Sequence, residues 1–321
     1  MTRAPTSTRI GYFGKIPARS DFVKMAHDPP VMAMLDEWLA KVMSRLPSSA
    51  RWKLDYDAMA PVSFAFVGPA RRLAVAGHLV ASRDQSGRRF PFLMMRAMDV
   101  IDPVAFVSQS PLACAPLWSY FASTAPKVVA SDDPGPHLHD IFEATIALGE
   151  SEAALASFLA AGTVASLSHL LGQASERLIL ALGLLLQPVM HSKPAALHKS
   201  MVLPLPEDPA MRCSVAAFWL ELVAPFLRRG GFDLALFITT QEERPVLVVG
   251  FGSAAAETLR GLIDPFVGND QQVGFADTSW IDEQLGLDVD VRALASYLDQ
   301  PQLPLRLARE LFLKTFIGAG S

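Results

Sequence analysis

One stretch near the start of the sequence carries residue types that could bind a phosphate. Gly14-Lys15 follows a predicted strand, as the Gly-Lys pair of a nucleotide-binding loop does. That loop also needs a glycine five residues before the pair and a Ser or Thr after it, whereas this chain has Arg9 and Ile16 there. Ile16 cannot bind magnesium, and Pro17 removes a backbone donor. The stretch therefore does not predict nucleotide binding.

Two other candidate sites are also incomplete. His137 and His139 lie on one side of an extended segment and could bind a metal ion, but no third ligand is evident. Gly252-Ser253 lies between a predicted strand and a predicted helix, without the Gly-x-Ser-x-Gly spacing of a nucleophile elbow. Ser253 is instead predicted to cap the helix. We therefore predict no catalytic residue, no metal ligand and no cofactor.

Composition and charge exclude several classes of protein. Of the 321 residues, 51% are hydrophobic and 19% are charged, enough apolar residues for one large core or two ordinary ones. The net charge of −4 argues against a nucleic-acid-binding protein, because neutralising phosphates requires a basic face. The longest apolar run, residues 178–186, is shorter than the roughly 20 residues that span a bilayer. With no signal-peptide pattern and two isolated cysteines, Cys114 and Cys213, we expect a cytoplasmic protein that does not insert into a membrane.

Hydrophobic periodicity predicts the elements that position these stretches. The predicted strands cover residues 10–13, 61–67, 73–80, 92–98, 232–238 and 246–251. The predicted helices cover residues 29–46, 103–109, 115–125, 140–148, 151–161, 164–172, 215–227, 253–263, 291–298 and 305–316. Prolines 111 and 116 are expected to break the region between 103 and 125, and residues 178–186 could be either a helix or a strand.

Short strands joined by short loops favour an antiparallel sheet. The predicted fold is α/β of the α+β kind: a mixed, mainly antiparallel sheet of about five strands, flanked by helices, with additional helical segments in the middle and at the C-terminus. An α/β domain is predicted over residues 10–130, and a helical region over 131–321 contains a hairpin that could join the same sheet. The alternative is two separate domains divided near Pro134.

Two motifs share a pattern of charge, glycine, proline and phenylalanine. The first has Gly11, Phe13, Gly14, Lys15, Pro17, Asp21 and Phe22 at its fixed positions, and the second has Ser82, Asp84, Gly87, Arg88, Phe90 and Pro91. Their order and spacing resemble the TagF (ImpM) family, proteins associated with bacterial type VI secretion. The chain departs from the family at Ser20, where glycine is usual, so a left-handed backbone there should be absent or strained.

The resemblance implies that residues 10–130 form a TagF N-terminal-like domain. It also implies a cytoplasmic accessory protein of the type VI secretion system that is not an enzyme. Such proteins resemble post-translational repressors that act by contact with a forkhead-associated-domain (Fha) component. The alternatives are a hydrolase-like enzyme with an unrecognised site and a structural subunit of the secretion complex. The oligomeric state is not predicted.

The motifs supply the residues that are predicted to contact a partner. These residues are Gly14, Lys15, Pro17, Arg19, Asp21, Phe22, Ser82, Asp84, Gly87, Arg88, Phe90 and Pro91. Lys15, Arg19 and Asp21 are expected at the surface, because charges are costly to bury. The arginine pairs 71–72 and 88–89 could contact a small anion or a phosphoprotein, or could be ordinary hairpin charges. The two motif loops are expected to lie close together, and could serve recognition or brace the scaffold.

Overall fold

The computed structural model describes residues 9–191, 199–227, 233–252 and 255–318. Within these residues, the strands are β1 (Gly11–Gly14), β2 (Val23–Met25), β3 (Val62–Val67), β4 (Leu73–Val80), β5 (Phe92–Asp99), β6 (Ser200–Pro204), β7 (Leu234–Gln241), β8 (Arg244–Gly250) and β9 (Gln272–Gly274). They form one sheet in the order β2-β1-β5-β4-β3-β7-β8-β6-β9. Every neighbouring pair is antiparallel except β6 and β9. The predicted mixed, mainly antiparallel sheet is confirmed, with nine described strands where about five were expected.

Helices cover both faces of this sheet. They are α1 (Pro29–Arg45), α2 (Trp52–Asp57), α3 (Pro103–Ala130), α4 (Gly135–Glu143), α5 (Ser151–Ala161), α6 (Val164–Leu171), α7 (Ser175–Leu186), α8 (Pro209–Leu227), α9 (Ala256–Ile263), α10 (Pro265–Gln271), α11 (Ile281–Leu287), α12 (Val289–Leu298) and α13 (Leu305–Phe316). Helices α1, α2 and α9 share one core with the sheet, and α3, α5–α8, α12 and α13 share the other. The flanking helices are therefore as predicted, and residues 178–186 belong to a helix.

Strand β5 shows how the two cores are separated. Successive side chains of a strand point to opposite faces. Met94 and Met98 accordingly pack in the core on the α3 side, whereas Leu93 and Met95 pack in the core on the α1 side. A strand that is covered on both faces is apolar almost throughout, which explains why β5 is a nearly continuous apolar run in the sequence.

The predicted break in the region between 103 and 125 is wrong, because α3 is one continuous helix. A proline in a helix costs about 3 kcal/mol, since it leaves the carbonyl four residues earlier without its donor. For Pro111 this is the carbonyl of Val107, and the Ser110 hydroxyl donates to it at 2.9 Å. Together with burial of the helix against the sheet, this replacement bond lets α3 continue.

The sheet crosses the predicted boundary between residues 130 and 131. Strand β3 pairs with β7, from Ser63 opposite Ile238 to Val67 opposite Leu234. The hairpin β7–β8 thus extends the N-terminal sheet, while the division into two regions stays a prediction. The predicted strand residue 232 and the predicted cap Ser253 lie outside the described residues.

Helix α8 is the described helix that is long and apolar enough to cross a membrane, judged by length and composition alone. The bent pair α6 and α7, with 94° between them, would qualify only if taken as one span. Core helices pass the same test, and 56% of the apolar window of α8 is buried inside the protein.

The turn between β7 and β8 holds two glutamates in an unfavourable backbone conformation. Glu242 has φ 48° and Glu243 has φ 63°. Two-residue turns with positive φ favour Asn-Gly, because a Cβ is disfavoured there. We expect Glu243→Gly to raise the free energy of unfolding by about 1 kcal/mol, measured by urea denaturation.

A matched control for this substitution is Glu150→Gly. Glu150 is also exposed, but its φ is −75°, so glycine there relieves no strain. This control should leave the protein no more stable than the wild type. Equal effects of the two substitutions would show that the turn is not strained.

Candidate functional site

The two motif loops, residues 15–22 and 81–91, meet beside strands β1 and β5. The Arg19 carbonyl accepts a hydrogen bond from the Gln85 amide at 2.9 Å. The Ser20 carbonyl accepts one from Arg88 Nη2, also at 2.9 Å. The expectation that the two loops lie close together is confirmed.

Two glycines shape these loops for different reasons. Gly14 has φ 138°, and a Cβ there would lie 2.0 Å from the carbonyl oxygen of Pro91. Only glycine therefore lets β1 approach the start of β5 this closely. Gly87 has φ 82° with open space around it, so its requirement is the turn conformation alone. Ser20 does not have a positive φ, so serine replaces the family's glycine there without a left-handed backbone.

The carboxylate of Asp84 organises both loops. It accepts hydrogen bonds from Lys15 Nζ at 2.9 Å, from Arg88 Nε at 2.7 Å, and from the Arg88 amide at 3.0 Å. The amide and hydroxyl of Ser86 donate to it at 3.0 and 2.7 Å. Burial by itself would raise the pKa of Asp84, but these donors hold that pKa well below its usual value. The carboxylate is therefore ionised, and it ties the first loop to the second.

The expectation that Lys15 lies at the surface is wrong. Lys15 is 7% exposed and Asp84 is 2% exposed. Burying a charge is most costly when it is unpaired, and Asp84 supplies the opposite charge at hydrogen-bond distance. The Lys15 ammonium also lies 5.1 Å from the centre of the Phe22 ring. We call this arrangement of Lys15, Asp84 and Arg88 the latch.

Helix α2 adds two contacts that were not predicted from the sequence. The hydroxyl of the buried Tyr56 donates to the Ser82 carbonyl at 3.0 Å and accepts from the Ser82 amide at 3.1 Å. Asp57 binds the guanidinium of Arg89 through two hydrogen bonds, at 2.8 and 2.5 Å. Burial raises the pKa of Tyr56, so the hydroxyl stays protonated. A helix of only six residues carries too short a pattern to be recognised, and nothing in its sequence links it to Ser82.

The structure divides the predicted partner-contact residues into two sets. The buried set is Gly14, Lys15, Ser82, Asp84, Phe90 and Pro91, and Pro17 is half-buried. The exposed set is Arg19, Asp21, Phe22, Gly87 and Arg88. The first set packs within the loops, and the second set is accessible to another molecule, although Arg88 also joins the loops through Asp84 and Ser20.

Phe22 is the apolar centre of the exposed set. It is 43% exposed and stacks on Phe13, with ring centres 5.2 Å apart. The edge of Phe90 meets it at 5.0 Å. The ring is therefore fixed in position although much of it contacts solvent.

Three exposed cations belong to the segments that meet beside this ring. Arg88 is held by the latch, yet its side chain is 65% exposed. Lys24 lies 5.6 Å from the centre of the Phe13 ring, on which Phe22 stacks, and Arg19 is exposed on the same loop as Phe22. We call Arg19, Phe22, Lys24 and Arg88 the basic aromatic patch.

Two of the other predicted arginine contacts, Arg71 and Arg89, are engaged within the protein. Arg89 is bound by Asp57, and Arg71 forms an ion pair with Asp233 at 2.6 Å. Within the second motif loop, Arg88 is the more exposed of the two arginines, since 65% of its side chain is exposed against 20% for Arg89.

A cleft of about 520 Å³ lies away from the motif loops, between the turn after α1 and helices α9 and α10. Three acids line it, of which Glu257 is bound by Arg45 and Arg260, and Asp264 accepts a hydrogen bond from the Phe266 amide. In the part of the chain that the structure describes, no group of three or more His, Cys, Asp or Glu side chains could hold a metal ion.

The fold and the latched loops define an α/β protein that presents a basic aromatic surface at one end of its sheet. Residues 11–144 match the model of the TagF N-terminal domain, which is described as type VI secretion system-associated. This part of the chain is a TagF N-terminal domain, and the residues after 144 lie outside the match. The match includes strands β1–β5, helices α1–α4 and both motif loops.

Among solved structures, the crystal structure of PA0076 from Pseudomonas aeruginosa PAO1 is similar to this chain. The two share 21% sequence identity, and the match covers 42% of this chain with a TM-score of 0.35. The chain spans 60% of the length of PA0076. No curated protein matches the chain.

Proposed function

We propose that the protein is a cytoplasmic, non-enzymatic regulator of the type VI secretion system, acting by contact with the Fha component. The support is the TagF match over both motif loops together with the separation of these loops into a buried latch and an exposed patch. The patch is the observation that carries the proposal, because the latch fixes it before any partner arrives.

The composition of the patch suits a protein interface. Aromatic residues and arginine are enriched among the residues that contribute most to binding. Phe22 is held by Phe13 and Phe90, and Arg88 is held by Asp84, so little side-chain freedom is lost on binding. A catalytic acid or base role for Asp84 is disfavoured, because its carboxylate oxygens already accept hydrogen bonds from Lys15, Ser86 and Arg88.

The test is a direct binding measurement between the purified protein and the purified Fha component, by calorimetry. We expect the wild type to bind and Phe22→Ala to bind at least about tenfold more weakly, as removal of an important aromatic contact costs above 1 kcal/mol. The matched control is Leu54→Ala, an apolar residue on α2 that is 65% exposed. Urea denaturation of each variant verifies that it is folded.

Two outcomes would contradict the proposal. One is a wild type that does not bind the Fha component, and the other is equal binding by the Phe22→Ala and Leu54→Ala variants. In cells, deletion of the gene should change secretion, and the Leu54→Ala gene but not the Phe22→Ala gene should restore it. Co-purification with the membrane complex at fixed stoichiometry would instead indicate a structural subunit.

A further inference from the structure

Strand β2 is an open edge of the sheet in the described part of the chain. It pairs with β1 through Val23, Lys24 and Met25, and no described residue pairs with its other side. An edge strand leaves backbone donors and acceptors free, and a lysine on such an edge discourages pairing with apolar or basic strands but is compatible with an acidic one. Lys24 occupies the middle of β2.

The basic aromatic patch borders this edge. Phe22 directly precedes β2, and Lys24 belongs to it. Phe13 is the residue opposite Lys24 on β1, and its ring contacts both the Lys24 ammonium and the Phe22 ring. The backbone edge, the aromatic ring and the cations thus lie together.

The charge at this edge is opposite to that of the whole chain. The protein has a net charge of −4, yet Arg19 and Lys24 form no ion pair with a described residue. Arg88 shares Asp84 with Lys15, so the cations here exceed the carboxylates even when Asp21 is included. A partner with negative charge would complement this edge.

We propose that the edge of β2 accepts an extended acidic segment of a partner protein as an additional strand. Its backbone would pair with β2, its carboxylates would lie near Arg19, Lys24 and Arg88, and an apolar side chain would cover Phe22. Strand addition uses backbone hydrogen bonds for affinity and neighbouring side chains for specificity. This assignment rests on the proposed function, since it names the chemistry of the partner at the same patch.

A peptide fits this edge better than other anions do. Free backbone donors and acceptors in a row match another strand, whereas a nucleic acid or a lipid headgroup offers no such row. The net negative charge of the chain and the presence of Asp21 also oppose a polyanion or an anionic membrane.

The test uses a fluorescent seven-residue peptide of alternating glutamate and valine, with a lysine–valine peptide of the same length for comparison. We expect the acidic peptide to bind the full chain in an anisotropy titration. The double variant Arg19→Glu with Lys24→Glu should bind it at least about tenfold more weakly. Lys127→Glu, a charge reversal at an exposed position of α3, should bind it like the wild type.

A second measurement distinguishes strand addition from simple charge attraction. In hydrogen exchange followed by mass spectrometry, the acidic peptide should slow the exchange of the amides of residues 23–25. Absence of measurable binding, equal binding by the double variant and Lys127→Glu, or binding without slower exchange would each overturn the proposal. Equal or tighter binding of a DNA oligonucleotide or of anionic vesicles would do the same.

These measurements do not require the Fha component, so the two proposals can fail separately. Fha binding that depends on Phe22, together with no acidic-peptide binding, would leave the proposed function standing without the strand addition. Peptide binding with slower exchange at β2, together with no Fha binding, would support the edge site and contradict the Fha partner.

Discussion

Replacing Lys15 with alanine is expected to lower the free energy of unfolding by about 2 kcal/mol, because it removes a buried charged donor and leaves the Asp84 carboxylate with only the exposed Arg88 as its counter-ion. Lys15 is 7% exposed, and its Nζ lies 2.9 Å from Asp84. The substitution leaves the buried Asp84 carboxylate with fewer donors and removes the cation beside the Phe22 ring. Urea denaturation followed by circular dichroism measures the change.

Two neighbouring cations provide the controls for this prediction. Arg19→Ala should change stability by no more than about 0.5 kcal/mol, since Arg19 is exposed and pairs with no described carboxylate. Arg88→Ala should also have a small effect on stability, because its side chain is 65% exposed and Lys15 still neutralises Asp84. A Lys15→Ala variant as stable as Arg19→Ala would show that the latch does not hold the fold together.

The protein is expected to lose about 3 kcal/mol of stability through His78 as the pH falls from 6.5 to 4. His78 is 3% exposed, and burial lowers its pKa to about 4, from an ordinary 6.5. Its Nδ1 lies 3.0 Å from the Ser63 hydroxyl, and its Nε2 has no hydrogen-bond partner in the described structure. Between about pH 6.5 and pH 4, the His78 imidazole binds a proton in the unfolded chain but not in the folded chain, so acid favours unfolding.

The measurement is the free energy of unfolding at several values of pH, for the wild type and for His78→Gln. The variant cannot take up this proton, so its stability should fall much less between pH 6.5 and 4.5. His27, whose pKa is lowered by burial and by Arg9, contributes to the remaining slope in both proteins. The pKa of Asp84 in the folded protein lies below its ordinary 3.8. The stability that the ionised Asp84 contributes is therefore lost mainly at a lower pH than the stability that depends on His78. Parallel curves for the two proteins would contradict the prediction.

Local patterns in the sequence were enough to predict the elements with strong periodicity. Helix α1 follows from apolar residues three or four apart, β3 from alternation that stops at Gly68-Pro69, and β4 and β5 from short apolar runs. The short edge strands β2 and β9 were not predicted. Each has three residues, and each exists because another strand supplies its hydrogen bonds, β1 for β2 and the distant β6 for β9.

Tertiary packing overrode local propensity in α3. Proline at 111 predicts a break, because it removes a backbone donor. Only the structure shows that Ser110 bonds the carbonyl of Val107 and that the sheet buries the helix. Burial of the long apolar face of α3 therefore stabilises the helix by more than one internal proline destabilises it.

The sequence alone determined the two motifs, their spacing and their closeness to the TagF family, because these depend on residue types at fixed positions. Tertiary structure alone decided what each motif residue does. Lys15 and Asp84 are 69 residues apart, and a charge that looks exposed in sequence becomes buried once its partner folds onto it. Phe22, an apolar residue, is partly exposed instead. Its ring packs against the Phe13 and Phe90 rings, and the latch lies beside it.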